Sequence, residues 1–189
     1  MMWKRIGDNP THYCSTWATS TYRACKETWW TSQNYRSETD RNSRIDVKSP
    51  YYKYTPVSVL KNENFKLYWY RSILTDKTIP FNQPDITFMN KKTKNTFLID
   101  IVVPNTHNLA KTITDKQNKY QELANEICAM WKQKAAQVIA IVISSMGVIP
   151  KSLSESLTRL NLHLNTYIHL QKSVILGTCS IVRNFLNYK

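Results

Sequence analysis

Two aspartates lie at or within apolar segments, where an unpaired carboxylate is unfavourable. Asp85 follows Pro84 at the start of a short apolar segment, and Asp100 interrupts the apolar run of residues 96–103. Burying a carboxylate in such a run is costly unless it is paired or binds a cation. A hairpin would bring both groups to one end of a sheet, where they could share a hard divalent cation such as Mg²⁺. The alternative is structural, with Asp100 bonded to a loop amide at the end of the sheet.

Two lysines are candidates for the same place. At about 100° per residue, Lys116 falls inside the apolar arc of a predicted helix, and Lys119 falls on its edge. A lysine at such a position either extends its ammonium to solvent or points it at an anion. The strand that contains Asp100 leads directly into this helix, so both lysines can reach the same end of the sheet.

Two acids and one ammonium are the minimal set for metal-assisted phosphodiester hydrolysis. The metal lowers the pKa of a water, and the lysine stabilises the nucleophile or the negative charge that develops on the phosphate. The alternative for Lys116 is a lysine that simply extends to solvent.

The segments around these groups predict an α/β fold, an αβ sandwich with a small mixed central sheet in the order β-β-β-α-β-α-α. Strands are predicted near residues 64–70, 85–89, 96–103 and 138–143. Helices are predicted over residues 109–134, over 152–162 with Ser152 as the cap, and over 167–186 with an interruption at Gly177. The loop 90–95 makes a hairpin, and the first helix makes a parallel crossover.

The chain divides into two regions that differ in composition and in apolar periodicity. Residues 1–50 are rich in Thr, Ser, Asn, Tyr and Trp without an apolar period, which predicts a poorly defined basic and aromatic leader; residues 55–187 predict the folded domain. The aromatic residues of the leader, interleaved with arginines, could stack on single-stranded bases. His12, Cys14 and Cys25 would make only a partial zinc site, because a fourth ligand is missing.

The charge of the chain predicts a polyanionic partner. The 189 residues contain 26 Lys+Arg against 13 Asp+Glu, a formal net charge of +13. Nucleic acid is the first candidate and an acidic membrane surface the second. The candidate nucleic-acid-binding side chains lie in the hairpin loop and at the start of the first helix: Lys91, Lys92, Lys94 and Lys111.

Several classes of protein are excluded. Three glycines are too few for a P-loop or a dinucleotide-binding fingerprint. No apolar run approaches the ~18 residues of a membrane span, and the first residues lack the apolar core of a secretory signal. The four cysteines lack paired spacing, which favours reduced thiols. We therefore expect a nuclear or cytoplasmic chain that is not secreted and has no membrane partner.

An ordered series of motifs resembles a known family. The segment Gln83-Pro84-Asp85 is followed after fourteen residues by Asp100, then by Val102-x-Pro104 and Lys116-x-x-Lys119-Tyr120. This series resembles the restriction-like endonuclease of site-specific non-LTR retrotransposons, a member of the PD-(D/E)xK nuclease superfamily at the C-terminus of the element's reverse transcriptase polyprotein. Further segments that resemble these polyproteins lie at residues 63–69, 146–151, 176–178 and 181–183.

The resemblance implies a restriction-endonuclease-like fold and roles for four residues. Asp85 and Asp100 would bind Mg²⁺ (or Mn²⁺), and Lys116, with Lys119 behind it, would be the catalytic lysine. The usual lysine position, two residues after the second acid, is Val102 here, so the lysine must have moved to the helix. The implied activity is nicking of target DNA to prime reverse transcription, with the rest of the polyprotein upstream and element RNA as a further partner.

Two other functions stay open at this point. The chain could be a catalytically inactive, basic nucleic-acid-binding remnant of such an element, with a salt-dependent affinity. It could also be a scaffold that oligomerises through the exposed face of its last helix.

Overall fold

The computed structural model describes residues 57–162 and 166–187. Five strands form one sheet: β1 (Val59–Lys61), β2 (Phe65–Trp69), β3 (Ile86–Asn90), β4 (Asn95–Val102) and β5 (Ala135–Val142). The helices are α1 (Leu109–Lys119), α2 (Gln121–Met130), α3 (Lys151–Arg159) and α4 (Thr166–Asn187), with a 3₁₀ turn (Thr106–Asn108) before α1. The predicted α/β class is confirmed. The leader and the partial zinc site lie outside the described residues.

The sheet is mixed, with its strands in sequence order. Strands β1 to β4 are antiparallel neighbours, and β5 pairs with β4 in parallel. The α1–α2 segment makes the crossover from β4 to β5, as predicted, because a parallel neighbour cannot be reached by a tight turn. Strand β1 is an additional strand that the sequence did not predict, since it is only three residues long and lies at the edge.

Helices cover both faces of the sheet. On the α3–α4 face, Ile99 and Ile101 of β4 pack with Leu157 of α3 and Leu170 of α4. On the α1–α2 face, Leu98 of β4 packs with residues of α2 that include Leu123 and Ile127, and with two isoleucines of the β2–β3 connection, Ile73 and Ile79. Side chains alternate along a strand, so Asp100 lies on the α1–α2 face with Leu98.

The long helix predicted over residues 109–134 is two helices. Tyr120 separates them with φ −104° and ψ 7°, and its N–H donates to the Asn118 carbonyl instead of one four residues back. Tyr120 is only 2% exposed, so its burial fixes the break. A single 100° period cannot reveal such a break, because the apolar positions stay in phase across it.

Two predicted details of the last helices are wrong. Helix α3 begins at Lys151 after Pro150, and no side chain caps it, so Ser152 is not the N-cap. Helix α4 continues through Gly177 without interruption. A single glycine costs a helix about 1 kcal/mol, which the packing of Leu170 and Val174 offsets. In the part of the chain that the structure describes, no helix has the length and apolarity to cross a bilayer.

Candidate active site

The register of the sheet places the two aspartates opposite each other. Ile86 of β3 pairs with Ile99 of β4, so the same antiparallel register, continued by one residue, sets Asp85 against Asp100. Residues directly opposed in this way have Cβ atoms about 4.5–5.5 Å apart. The hairpin therefore brings the two acids together, as the spacing predicted.

Asp85 replaces a missing backbone acceptor. Strand β3 begins only at Ile86, so the N–H of Ile101 has no β3 carbonyl to bond. The Asp85 Oδ2 atom accepts this hydrogen bond at 2.8 Å. A buried N–H requires such a partner, and the bond fixes the Asp85 carboxylate beside Asp100.

Asp100 is paired with the helix lysine. Its side chain is 4% exposed, and Lys116 Nζ lies 2.6 Å from Asp100 Oδ2. This contact is an ion pair without the angles of a good hydrogen bond, and Oδ2 accepts no other one. The Lys116 ammonium therefore points at the acid pair and does not simply extend to solvent.

Lys119 reaches the site less directly. Its Nζ atom donates to the Tyr120 hydroxyl at 3.0 Å and lies 5.0 Å from the centroid of the Phe81 ring. The positive charge of Lys119 still lowers the pKa of Asp85. The structure thus brings Asp85, Asp100 and Lys116 together, with Lys119 one side chain further out.

Tyr120 is a site residue that sequence reasoning missed. Its hydroxyl donates to the Gln83 carbonyl at 3.1 Å, which ties α1–α2 to the segment that leads into Asp85. Burial and then the negative charge of Asp100 raise the pKa of Tyr120, so this hydroxyl stays protonated. In the sequence, Tyr120 stands only at the end of the motif series, directly after Lys119, and that position assigns it no role.

The two lysines do not fully compensate the cost of ionising both carboxylates of the acid pair. Burial, followed by the charge of Asp100, raises the pKa of Asp85 to about 6, although the Ile101 hydrogen bond and the two lysines lower it. Two carboxylates that share a poorly hydrated place resist ionising together. A bound cation would relieve this repulsion.

The residues present fit a hard divalent cation. Asp85 and Asp100 offer carboxylate oxygens, and the buried Oδ2 of Asp100 accepts no hydrogen bond of good geometry. Mg²⁺ is usually held by one or two carboxylates, with waters and substrate phosphate completing its octahedron. Among the described residues, no group of three or more His, Cys, Asp or Glu side chains is placed to hold a metal ion.

The candidate nucleic-acid-binding lysines lie in two places. Lys91, Lys92 and Lys94 occupy the β3–β4 turn, at the opposite end of the sheet from Asp100. At about 3.3 Å per residue, the five steps from Asn95 to Asp100 span roughly 17 Å, so these lysines are not part of the acid site. Lys111 is exposed near the start of α1, about 7.5 Å along the helix axis from Lys116. The DNA-binding role of all four stays a prediction.

Comparison of the chain with family models and with curated proteins gives no match.

Proposed function

We propose that the chain is a Mg²⁺-dependent DNA endonuclease domain, a fragment of a non-LTR retrotransposon polyprotein that nicks target DNA to prime reverse transcription. One observation carries the proposal: Asp85 lies opposite Asp100, and the Lys116 ammonium lies 2.6 Å from Asp100. The motif series that resembles the restriction-like endonucleases falls on these same residues. The net charge of +13 agrees with a DNA substrate and with element RNA as a further partner.

Each residue of the site has a distinct task in this proposal. Asp85 and Asp100 hold Mg²⁺ or Mn²⁺, and a bound ion supplies a water of lowered pKa and offsets phosphate charge. The Lys116 ammonium stabilises the charge that develops on the attacked phosphate. Lys119 adds positive potential from its place against Tyr120 and Phe81.

The test is nicking of a supercoiled plasmid by the full chain in Mg²⁺, in Mn²⁺ and in EDTA. We expect open-circular product with either metal and none in EDTA. Asp100→Asn should reduce nicking to background because it removes a metal-binding charge, and Lys116→Ala should lower the rate about 100-fold or more. Glu155→Gln and Lys172→Ala are matched controls, since both residues are exposed on α3 and α4, and neither should change the rate.

Two results would contradict the nuclease. One is no metal-dependent nicking by a folded wild-type chain, and the other is equal nicking by Asp100→Asn. If DNA binding with a strong salt dependence persists in either case, the inactive nucleic-acid-binding remnant is the better description. Circular dichroism of each variant separates loss of function from loss of fold.

A further inference from the structure

Two exposed aromatic side chains lie in the β2–β3 connection, which leads into Asp85. Tyr70 is 53% exposed and Phe81 is 49% exposed. Tyr70 is the first residue of the β2–β3 connection (residues 70–85) and Phe81 lies further along it; Ile73 and Ile79, between them, are buried on the α1–α2 face. The connection therefore buries aliphatic side chains and leaves two rings in solvent, although phenylalanine ranks among the most frequently buried residues.

Backbone hydrogen bonds fix the first ring beside the acids. The register that pairs Trp69 with Ile86 continues to set Tyr70 next to Asp85, and the Tyr70 N–H donates to the Asp85 carbonyl at 2.8 Å. Gln83 Nε2 donates to the Tyr70 carbonyl at 3.0 Å. Tyr70, Asp85 and Asp100 thus form one row across three adjacent chain segments.

Tyr70 also has an unfavourable backbone conformation. Its φ is 48°, in the left-handed region that glycine or asparagine adopts more cheaply than a bulky residue. Folding alone does not favour a tyrosine at such a position, so the strain points to a use of the side chain.

The second ring is associated with positive charge. Lys119 Nζ lies 5.0 Å from the centroid of the Phe81 ring. The N–H of Ile73 donates to the carbonyl of Asn82 at 2.8 Å, which closes the base of the connection next to Phe81. A ring with an ammonium over one face suits a nucleotide, because a base can stack on its other face while the cation attracts the phosphate.

We propose that Tyr70 and Phe81 form a stacking platform for an unpaired DNA base, so that the site selects DNA with unpaired nucleotides over continuous duplex. A base inside a duplex is already stacked on its neighbours and cannot offer its face to a surface ring, whereas a bulged or single-stranded base can. Continuity with the acid pair and with Lys119 favours a nucleotide over a protein partner. This inference rests on the proposed function.

The test is equilibrium binding of the full chain in EDTA, where no cleavage occurs, to a short labelled duplex and to the same duplex with a central bulge. We expect the bulged DNA to bind about 10-fold more tightly. Tyr70→Ala and Phe81→Ala should each remove most of this preference without changing affinity for the duplex. Tyr70→Phe should keep it, because the ring remains, and Phe185→Ala, which removes an exposed ring of α4, should leave it unchanged.

A glycine variant separates stacking from folding. Tyr70→Gly should lose the preference for bulged DNA while its midpoint of thermal unfolding is at or above that of Tyr70→Ala, because glycine adopts φ 48° without strain. Equal wild-type affinity for both DNAs overturns the inference, as does an equal loss for both DNAs in the alanine variants, which indicates a general or protein-binding surface.

The two proposals fail separately. Metal-dependent nicking by a chain that binds duplex and bulged DNA equally removes the stacking platform and leaves the nuclease. A preference for bulged DNA that depends on Tyr70, in a chain that does not nick, removes the nuclease and leaves the platform.

Discussion

The two faces of the sheet are built on different principles. On the α3–α4 face, consecutive layers of buried aliphatic and aromatic side chains run from Phe65 to Val174. On the α1–α2 face, the apolar cluster around Leu123 and Ile127 stops near the ends of β3 and β4, where Asp100 is buried. Ile99 and Asp100 are adjacent in the chain, yet Ile99 packs in the apolar core and Asp100 forms an ion pair with Lys116.

The α3–α4 face mainly stabilises the fold, whereas the α1–α2 face contains the candidate site. Burying apolar surface stabilises by about 25 cal/mol per Å², and the described residues of the α3–α4 face do so without a buried charged group. A buried ion pair is weak evidence for stability, since its attraction roughly repays its desolvation. Stability alone therefore does not explain the Asp100–Lys116 pair, which agrees with the role proposed for it.

The largest effect is expected on the α3–α4 face. Leu157 is 0% exposed, and Leu157→Ala should lower the free energy of unfolding by about 2–5 kcal/mol because it leaves a cavity. Urea unfolding measures this loss. Leu176→Ala, at a 54% exposed position of α4, should change stability by less than about 0.5 kcal/mol. Equal losses in the two variants would show that the α3–α4 face is not the core.

A pH titration tests the α1–α2 face. The pKa of Asp85 is about 6 in the folded protein, against 3.8 ordinarily. The folded state therefore binds more protons than the unfolded state between these values, and the free energy of unfolding should fall as pH rises from about 4 to about 7, by on the order of 2–3 kcal/mol. Asp85→Asn should remove this part of the pH dependence, measured by urea unfolding in EDTA.

Addition of metal sharpens the same measurement. At pH 7, Mg²⁺ should raise the unfolding temperature of the wild type, because it binds the folded state alone, and should have little effect on Asp85→Asn. A pH profile that is identical in the wild type and in Asp85→Asn would contradict the electrostatic description of the pair.

The smallest effect concerns the ion pair itself. Lys116→Met leaves the Asp100 carboxylate buried without its partner and should cost about 2 kcal/mol in urea unfolding. Replacing both groups, as Asp100→Leu with Lys116→Met, should return stability close to that of the wild type, because two apolar side chains need no partner. Lys172→Met on α4 is the control. A double variant as unstable as the single one would mean that the pair is structural.

Much of the fold could be predicted from local patterns. Continuous apolar runs predicted β4 and β5 and their parallel pairing, which the structure confirms. The edge strand β1 could not be predicted because it is only three residues long, and the break at Tyr120 could not be predicted because it depends on contacts with distant residues. Tyr120 ends α1 where its ring enters the cluster with Leu98 and its hydroxyl reaches Gln83.

The residues of the acid site could be predicted from the sequence, but their hydrogen bonds could not. The hairpin spacing set Asp85 beside Asp100, and the helical period placed Lys116 towards them, because these relations follow from the repeats of strands and helices. The bond from the Ile101 amide to Asp85 depends on where β3 begins. The exposed positions of Tyr70 and Phe81 depend on how the β2–β3 connection folds back on the sheet.

The sequence by itself determined the class of fold and which two acids and which lysine are candidates for chemistry, and its net charge predicts a polyanionic partner. Side-chain period and net charge are local or additive quantities, so a string of residues is enough to read them. Only the tertiary structure decided that Lys116 pairs with Asp100, that Asp85 binds a backbone amide and that Tyr120 joins α1 to the loop before Asp85. These contacts join residues that lie far apart along the chain, and their geometry exists only once the sheet and the crossover helices have packed together.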